Sequence, residues 1–317
     1  MNNSIRKLFL LALPVLFAAL VAGAQERFVF TPQWTPQAQF AGYYVALEMG
    51  FYKEAGLDVE IIHPTASQSA LTRMYKNESQ ATTLQLCQAI EVVSSDIPLV
   101  NILQTSMNNG LVIVSRRGVN PLSQKGARIG TWSAGFGQMA FCLSVKEQLD
   151  YEWVPSASTV NLFVKNAVDA TLAMSYNEYY QLIASGMEFG EESVYRFCDH
   201  DYNVQEDGVY MRRDYYEKHK DEAHKFAEAS RRGWEWAVGH PEETLDIVMK
   251  YVRENQVITN RPMQRLMLEE VLRLQMDRES GKQEFRLRPD MVKLASDLML
   301  ENGMILAPVT YEQITEN

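Results

Sequence analysis

The chain has 317 residues, a formal net charge of −10, 46% hydrophobic and 22% charged residues, and three cysteines. An acidic chain is a poor partner for nucleic acid or an anionic membrane, so neither is expected. Cys87, Cys142 and Cys198, odd in number and widely spaced, describe neither a disulfide framework nor a zinc site, and the five histidines include no HExxH pair, so no metal or other cofactor is expected.

The N-terminus carries Arg6 and Lys7, an apolar run from Leu8 to Val21, and the small residues Ala22-Gly23-Ala24. This order predicts a cleavable signal peptide over residues 1–24 and an exported mature chain beginning at Gln25. The run is about 14 residues, shorter than the roughly 20 needed to span a bilayer. Cleavage removes two positive charges and takes the net charge from −10 to −12. The remaining length of about 290 residues exceeds what one hydrophobic core usually supports, so two lobes are expected. No Pro/Gly/Ser-rich linker separates them, which suggests that one lobe is inserted in the other. Strands that end in charge at Val114–Gly118 (VSRRG) and Gly208–Arg213 (GVYMRR) are the expected crossings. They place lobe 1 at 25–115 and 211–317 and lobe 2 at 116–210.

The segment Gln33 to Ile62 (QWTPQAQFAGYYVALEMGFYKEAGLDVEII) reads as the first βαβ unit. Thr35 caps a helix that begins at Pro36, Gly50 supplies a left-handed stop after Met49, and a second short turn ends at Gly56. Asp58 to Ile62 alternates as a strand beside Phe28 to Phe30. Trp34, Phe40 and Tyr43 exceed what packing requires at this strand-to-helix turn, the place where open α/β sheets bind ligands. Next, Thr65 to Ser69 leads into a helix bearing Leu71, Met74 and Tyr75. Its hydroxyls cap that helix or, with Ser67 and Gln68, present donors to a ligand.

The same logic recurs in the middle of the chain. Ala127 to Trp132 (ARIGTW) is a strand, Ser133-Ala134-Gly135 a turn, and Phe136 to Leu149 a helix whose free N–H groups suit an anion or polar group. Gly135, Phe136 and Gln138 are its candidate residues. Asp169 to Met174 (DATLAM) is a strand followed by Tyr176, Asn177 and Glu178 in the corresponding position. Beyond Gly208 the chain is mostly helical: Asp214 to Gly239 carries a core stripe that includes Trp234, and the helices Pro262 to Asp277 and Pro289 to Asn302 are structural.

These segments, together with SQSALTRM, the GFG turn after IGTW and DATLAMSYNEYYQL, resemble the periplasmic substrate-binding proteins of ABC transporters. Within that superfamily the chain is similar to the branch of thiamine-pyrimidine synthases and of formylaminopyrimidine and sulfonate binders. The resemblance implies an α/β fold of the type II periplasmic binding protein class, with each of two lobes a mixed sheet flanked by helices and the ligand in the cleft between them. It also implies an inner-membrane ABC permease as partner, and a monomer is expected. The synthases use a lysine and a histidine in the helix before the G-x-P segment. The equivalent stretch here, Thr82 to Ile97 (TTLQLCQAIEVVSSDI), has neither, and Asp201 to Gly208 (DYNVQEDG) lacks their cysteine cluster. A binder rather than an enzyme is therefore expected.

Trp34, Phe40 and Tyr43 offer flat faces to a planar heterocycle. Asn177 and Glu178 offer hydrogen bonds to an exocyclic amine and ring nitrogen. Ser67, Gln68, Gln88, Gly135, Phe136, Gln138 and Tyr176 complete the candidate set. An aminopyrimidine-like thiamine precursor, captured by hinge closure, is the expected ligand. A sulfonate or other small organic, and a sensory rather than a transport partner, remain open at this point.

Overall fold

The computed structural model describes residues 27–133, 135–156 and 159–316. The signal-peptide segment 1–24 and Ala134 lie outside the described residues.

Among the described residues, ten strands form two five-stranded sheets: β1 Arg27–Thr31, β2 Asp58–Ile61, β3 Ala81–Gln85, β4 Leu99–Gln104, β5 Leu111–Ser115, β6 Arg128–Trp132, β7 Glu152–Ser156, β8 Ala170–Met174, β9 Val194–Arg196 and β10 Asp207–Arg212. The first sheet has the order β2-β1-β3-β10-β4 and the second β7-β6-β8-β5-β9. In each, three parallel strands are followed by one antiparallel strand that comes from beyond a crossing: β10 between β3 and β4, β5 between β8 and β9. The lobes therefore share one topology. Helices flank both sheets, giving the expected two-lobed α/β architecture with mixed sheets.

The crossings lie earlier than expected. Because β5 pairs wholly within the second sheet and β10 wholly within the first, the chain changes lobe in residues 105–110 and 200–206. The segments Val114–Gly118 and Gly208–Arg213 are the end of one inserted strand and the body of the other. An apolar strand ending in charge marks where a strand leaves the core, and gives no sign of which sheet holds it.

Local structure follows the glycine punctuation. Gly50 and Gly56 adopt φ of 78° and 77°, ending the Ala41–Glu48 and Phe51–Glu54 helices before β2. Thr35 does not cap a helix: the chain stays irregular through Gln37, forms a 3-10 turn at Ala38–Phe40, and becomes α-helical only at Ala41. Ser69 caps Ala70–Tyr75, accepting from the Thr72 N–H at 3.1 Å. The stretch Thr82–Ile97 is not one helix, since β3 fills its first residues and the Leu86–Ser94 helix follows. Similarly, the middle-lobe helix starts at Gln138, leaving Phe136 in the turn before it.

The C-terminal helices close the molecule. Lys220–Gly239 crosses Ala41–Glu48 so closely that a Cβ on Gly233 would lie 2.0 Å from the Gly42 carbonyl oxygen, and Trp234 is buried in the same contact. Pro241–Glu254, Arg261–Leu274 and Pro289–Glu301 follow. One apolar core runs through both lobes, with Leu111 and Ile113 of β5 facing it, while Val112 and Val114 face a second cluster with Phe163 and Leu182. Cys87, Cys142 and Cys198 are free and buried. Among the described residues no helix is long and apolar enough to cross a membrane.

Candidate ligand-binding site

The C-terminal ends of β1, β3, β6 and β8 point into the cleft, and the residues just beyond them wall a cavity of about 360 Å³. Lobe 1 contributes Gln33, Trp34, Gln37 and Gln39 after β1 and Gln85 at the end of β3. Lobe 2 contributes Trp132 and Phe136 around the end of β6, and Met174, Tyr176, Asn177 and Glu178 around the end of β8. No lysine or arginine is among these lining residues.

Three rings meet across the cleft. Phe136 stands edge-on to Trp34, with centroids 5.8 Å apart and planes at 82°, and again to Trp132 at 6.1 Å and 71°. Such edge-to-face pairs are favourable beyond their burial. They bring the indoles of two tryptophans, one from each lobe, to the same cavity.

Glu178 is buried at the start of its helix. One carboxylate oxygen accepts from the Trp132 indole N–H at 3.2 Å and from Asn177 Nδ2 at 3.3 Å; the other accepts from the Met174 backbone N–H at 3.0 Å. Burial raises its pKa above the ordinary carboxylate value, and the Met174 N–H opposes the shift. Opposite it lies a carboxamide network. Gln33 Nε2 donates to one oxygen of Asp207 at 2.9 Å, Gln39 Nε2 to the other at 2.6 Å, and Gln37 Nε2 to Gln39 Oε1 at 2.6 Å. Burial pushes the Asp207 carboxyl up to about 6, against the two glutamine donors.

Trp34 is anchored from behind by His63. Nδ1 of His63 lies 2.6 Å from the Trp34 carbonyl oxygen, which has no proton to give, so Nδ1 carries the hydrogen and Nε2 accepts from the Tyr44 hydroxyl at 2.9 Å. Burial pushes the imidazole down to about 4, with the Trp34 carbonyl opposing. The lobes also touch beside the cavity, where Gln138 Nε2 donates to Glu91 at 3.2 Å and to the Gly135 carbonyl at 2.8 Å.

The structure thus brings Trp34, Phe136, Tyr176, Asn177 and Glu178 together. Gln138 and Gly135 lie at the lobe contact next to the cavity, and a Cβ on Gly135 would be 3.5 Å from Gln88 Nε2. Gln88 itself shares a capping box with Gln85 and does not line the cavity. Phe40 and Tyr43 are corrected: both are buried inside lobe 1, Phe40 against His63 and Tyr43 against Phe30 and Trp234. The 3-10 turn and the helix after it turn Phe40 and Tyr43 into the core, while Gln37 and Gln39 line the cavity. Ser67 and Gln68 are corrected as well. They sit beyond β2, a sheet edge, where Ser67 bonds Thr65, and Gln68 bonds Arg73 and Glu78.

Sequence reasoning missed Gln33, Gln37, Gln39, Gln85, Trp132, Met174 and the supporting Asp207 and His63. Trp132 had a visible signal, an aromatic at the C-terminal end of a strand. Gln33, Gln37 and Gln39 stood in the very segment read for its aromatics, whereas Gln85, Asp207 and His63 are joined to the site only by folding.

Residues 37–244 match the family described as NMT1/THI5 like. The formylaminopyrimidine-binding protein of Halalkalibacterium halodurans is 25% identical over 259 residues, covering 77% of this chain and 75% of that protein. Among solved structures, the ligand-binding component of an ABC-type import system from Staphylococcus aureus superposes with a TM-score of 0.69 at 10% identity, covering 92% of this chain and 97% of that one. The periplasmic aliphatic sulphonate binding protein SsuA from Escherichia coli gives 0.65 at 13% identity, covering 93% of each chain. These likenesses establish the periplasmic binding protein fold, and the extent of the family match establishes the lineage: the chain belongs to the NMT1/THI5-like family.

Proposed function

We propose that the chain is an exported solute-binding protein that captures a small, flat, amine-bearing heterocycle of the aminopyrimidine kind between its lobes and delivers it to an ABC permease. The observation that carries this reading is the cavity itself, whose walls combine tryptophan rings from both lobes with a buried carboxylate and glutamine side chains, and whose lining includes no lysine or arginine. Aromatic faces favour a planar ring. A carboxylate that accepts from an exocyclic amine makes a charge-assisted bond, and the same carboxylate repels a sulfonate. The relative that binds a formylaminopyrimidine supports this ligand class more than the sulfonate binder does, because the latter shares the fold at low identity. Binding without turnover is part of the proposal.

The test is a thermal-shift and calorimetric screen with 4-amino-5-hydroxymethyl-2-methylpyrimidine, formylaminopyrimidine and ethanesulfonate. A ligand that binds only the native state at 100 times its dissociation constant adds about 2.7 kcal/mol of stability, a readily visible shift. Stabilisation by an aminopyrimidine, its recovery unchanged after incubation, and at least a tenfold loss of affinity in Trp34→Ala are expected. Stabilisation by the sulfonate alone overturns the reading.

A further inference from the structure

We propose that Asp207 is the positioning residue that sets the hydrogen-bond polarity of the cavity: it draws in the amide groups of Gln33 and Gln39, so that the wall presents oxygen acceptors to a ligand arriving as a donor. The ligand class in this inference rests on the proposed function; the orientation does not.

Asp207 opens β10, the strand that enters lobe 1 from the second crossing, and pairs with Gln85 at the end of β3. The inserted strand runs antiparallel to its neighbours, which brings its first residue to the cleft end of the sheet, among the C-terminal ends of the parallel strands. Each Asp207 oxygen is taken by one glutamine, Gln33 at 2.9 Å and Gln39 at 2.6 Å. An ionised carboxylate only accepts hydrogen bonds, so neither carboxamide can reverse without setting oxygen against oxygen. The constraint is then relayed. With its amide turned inward, Gln39 offers Oε1 to Gln37 Nε2 at 2.6 Å, which leaves Gln37 Oε1 as the terminal acceptor. Gln33 Oε1 is enclosed and has no protein partner, so Gln37 Oε1, on the cavity lining, is the acceptor that a ligand N–H meets.

The groups facing Asp207 do not supply a counter-charge. Glu206, Tyr43, Tyr176 and Tyr210 interact with it electrostatically, and none is a cation at neutral pH. The residues lining the cavity behind it include no lysine or arginine. Neighbouring Glu206 is committed elsewhere, accepting from the Gly110 N–H at 2.8 Å. A side chain at position 207 with a proton to give reverses the logic: one glutamine turns its oxygen inward, and an N–H appears at the cavity.

The test has a ligand-free arm and a binding arm. In the ¹⁵N-labelled mature protein the side-chain amide signals of Gln33 and Gln39, assigned by single substitution, are expected to move together with a midpoint near pH 6 and to lose that transition in Asp207→Asn. At pH 8, calorimetry compares 4-amino-2-methylpyrimidine with 2-methylpyrimidin-4-one, which exchanges the exocyclic donor for an acceptor. Asp207→Asn is expected to lower the amino-to-oxo affinity ratio at least tenfold. Amide signals that do not titrate in the wild type overturn the orientation, and this measurement does not need the variant to fold. An unchanged ratio in a folded Asp207→Asn overturns the effect on polarity. Titrating amides with neither pyrimidine bound support the orientation and overturn the aminopyrimidine reading.

Discussion

Replacing His63 tests whether the histidine behind Trp34 is held neutral as a two-sided hydrogen-bonding strut. In His63→Ala the Trp34 carbonyl and the buried Tyr44 hydroxyl both lose their partners. Two net hydrogen bonds at about 1 kcal/mol each, plus a penalty of about 1–3 kcal/mol for the stranded hydroxyl, give an expected destabilisation of roughly 3–5 kcal/mol at pH 7. In a Tyr44→Phe background no hydroxyl is stranded, so the double-mutant cycle is expected to show coupling of about 1 kcal/mol or more. Protonation supplies the sharper signature. The folded-state pKa is depressed to about 4 from 6.5. The native state therefore takes up its proton later than the unfolded chain, and stability tied to neutral His63 is present above pH 6.5 and lost as pH falls towards 4. A shift of this size is worth about 3 kcal/mol at most. Urea unfolding of wild type and His63→Ala from pH 7.5 to 4 is the assay, because carboxylate contributions common to both proteins cancel in the difference. The wild-type advantage is expected to shrink steadily over that range. A difference that stays constant with pH refutes the neutral strut.

Two further predictions concern packing and the opposite wall. Gly233→Ala forces a methyl group against the Gly42 carbonyl and Ala46, in a backbone approach that has no side chain to move aside, and is expected to cost about 3 kcal/mol or more by chemical denaturation. Glu178→Gln places an NH₂ group where only acceptors fit, against either the Trp132 indole or the Met174 N–H. A loss of roughly 1–3 kcal/mol of stability together with weaker aminopyrimidine binding is expected from calorimetry, and unchanged values for both would show that the carboxylate is not held as described.

Much of the framework was readable because local rules and tertiary structure agree. Val59 and Ile61 alternate within a strand that does pair with β1, and Gly50 sits where a left-handed residue ends a helix. Where they disagree, the cause lies far along the chain. The helix expected from Thr35 and Pro36 does not form because Gln33 and Gln39 bond a carboxylate more than 160 residues away, and the turn follows that network instead of the cap. Phe40 and Tyr43 looked surplus to packing only because Trp234 and His63, which they pack against, come from other elements. The lobe boundaries slipped for a related reason: an apolar strand carries no mark of the sheet it will join. Trp34 and the turns after β6 and β8 were legible because they depend on strand direction alone.

The two crossings are stitched to each other as well as running side by side. The Thr105 and Ser106 N–H groups both donate to the Asp207 carbonyl, at 2.9 and 3.0 Å, Asn109 N–H donates to Asn203 at 2.8 Å, and Gly110 N–H to Glu206 at 2.8 Å. A pair of independent tethers would let one lobe twist as well as tilt on the other. Laced together in this way they are expected to move as a single ribbon that resists torsion more than bending. For the hinge closure expected of this chain, the consequence is a bend about one axis that returns Trp34 and Trp132 to the same mutual height, the register of the ligand-facing walls being kept by backbone amides well away from any ligand.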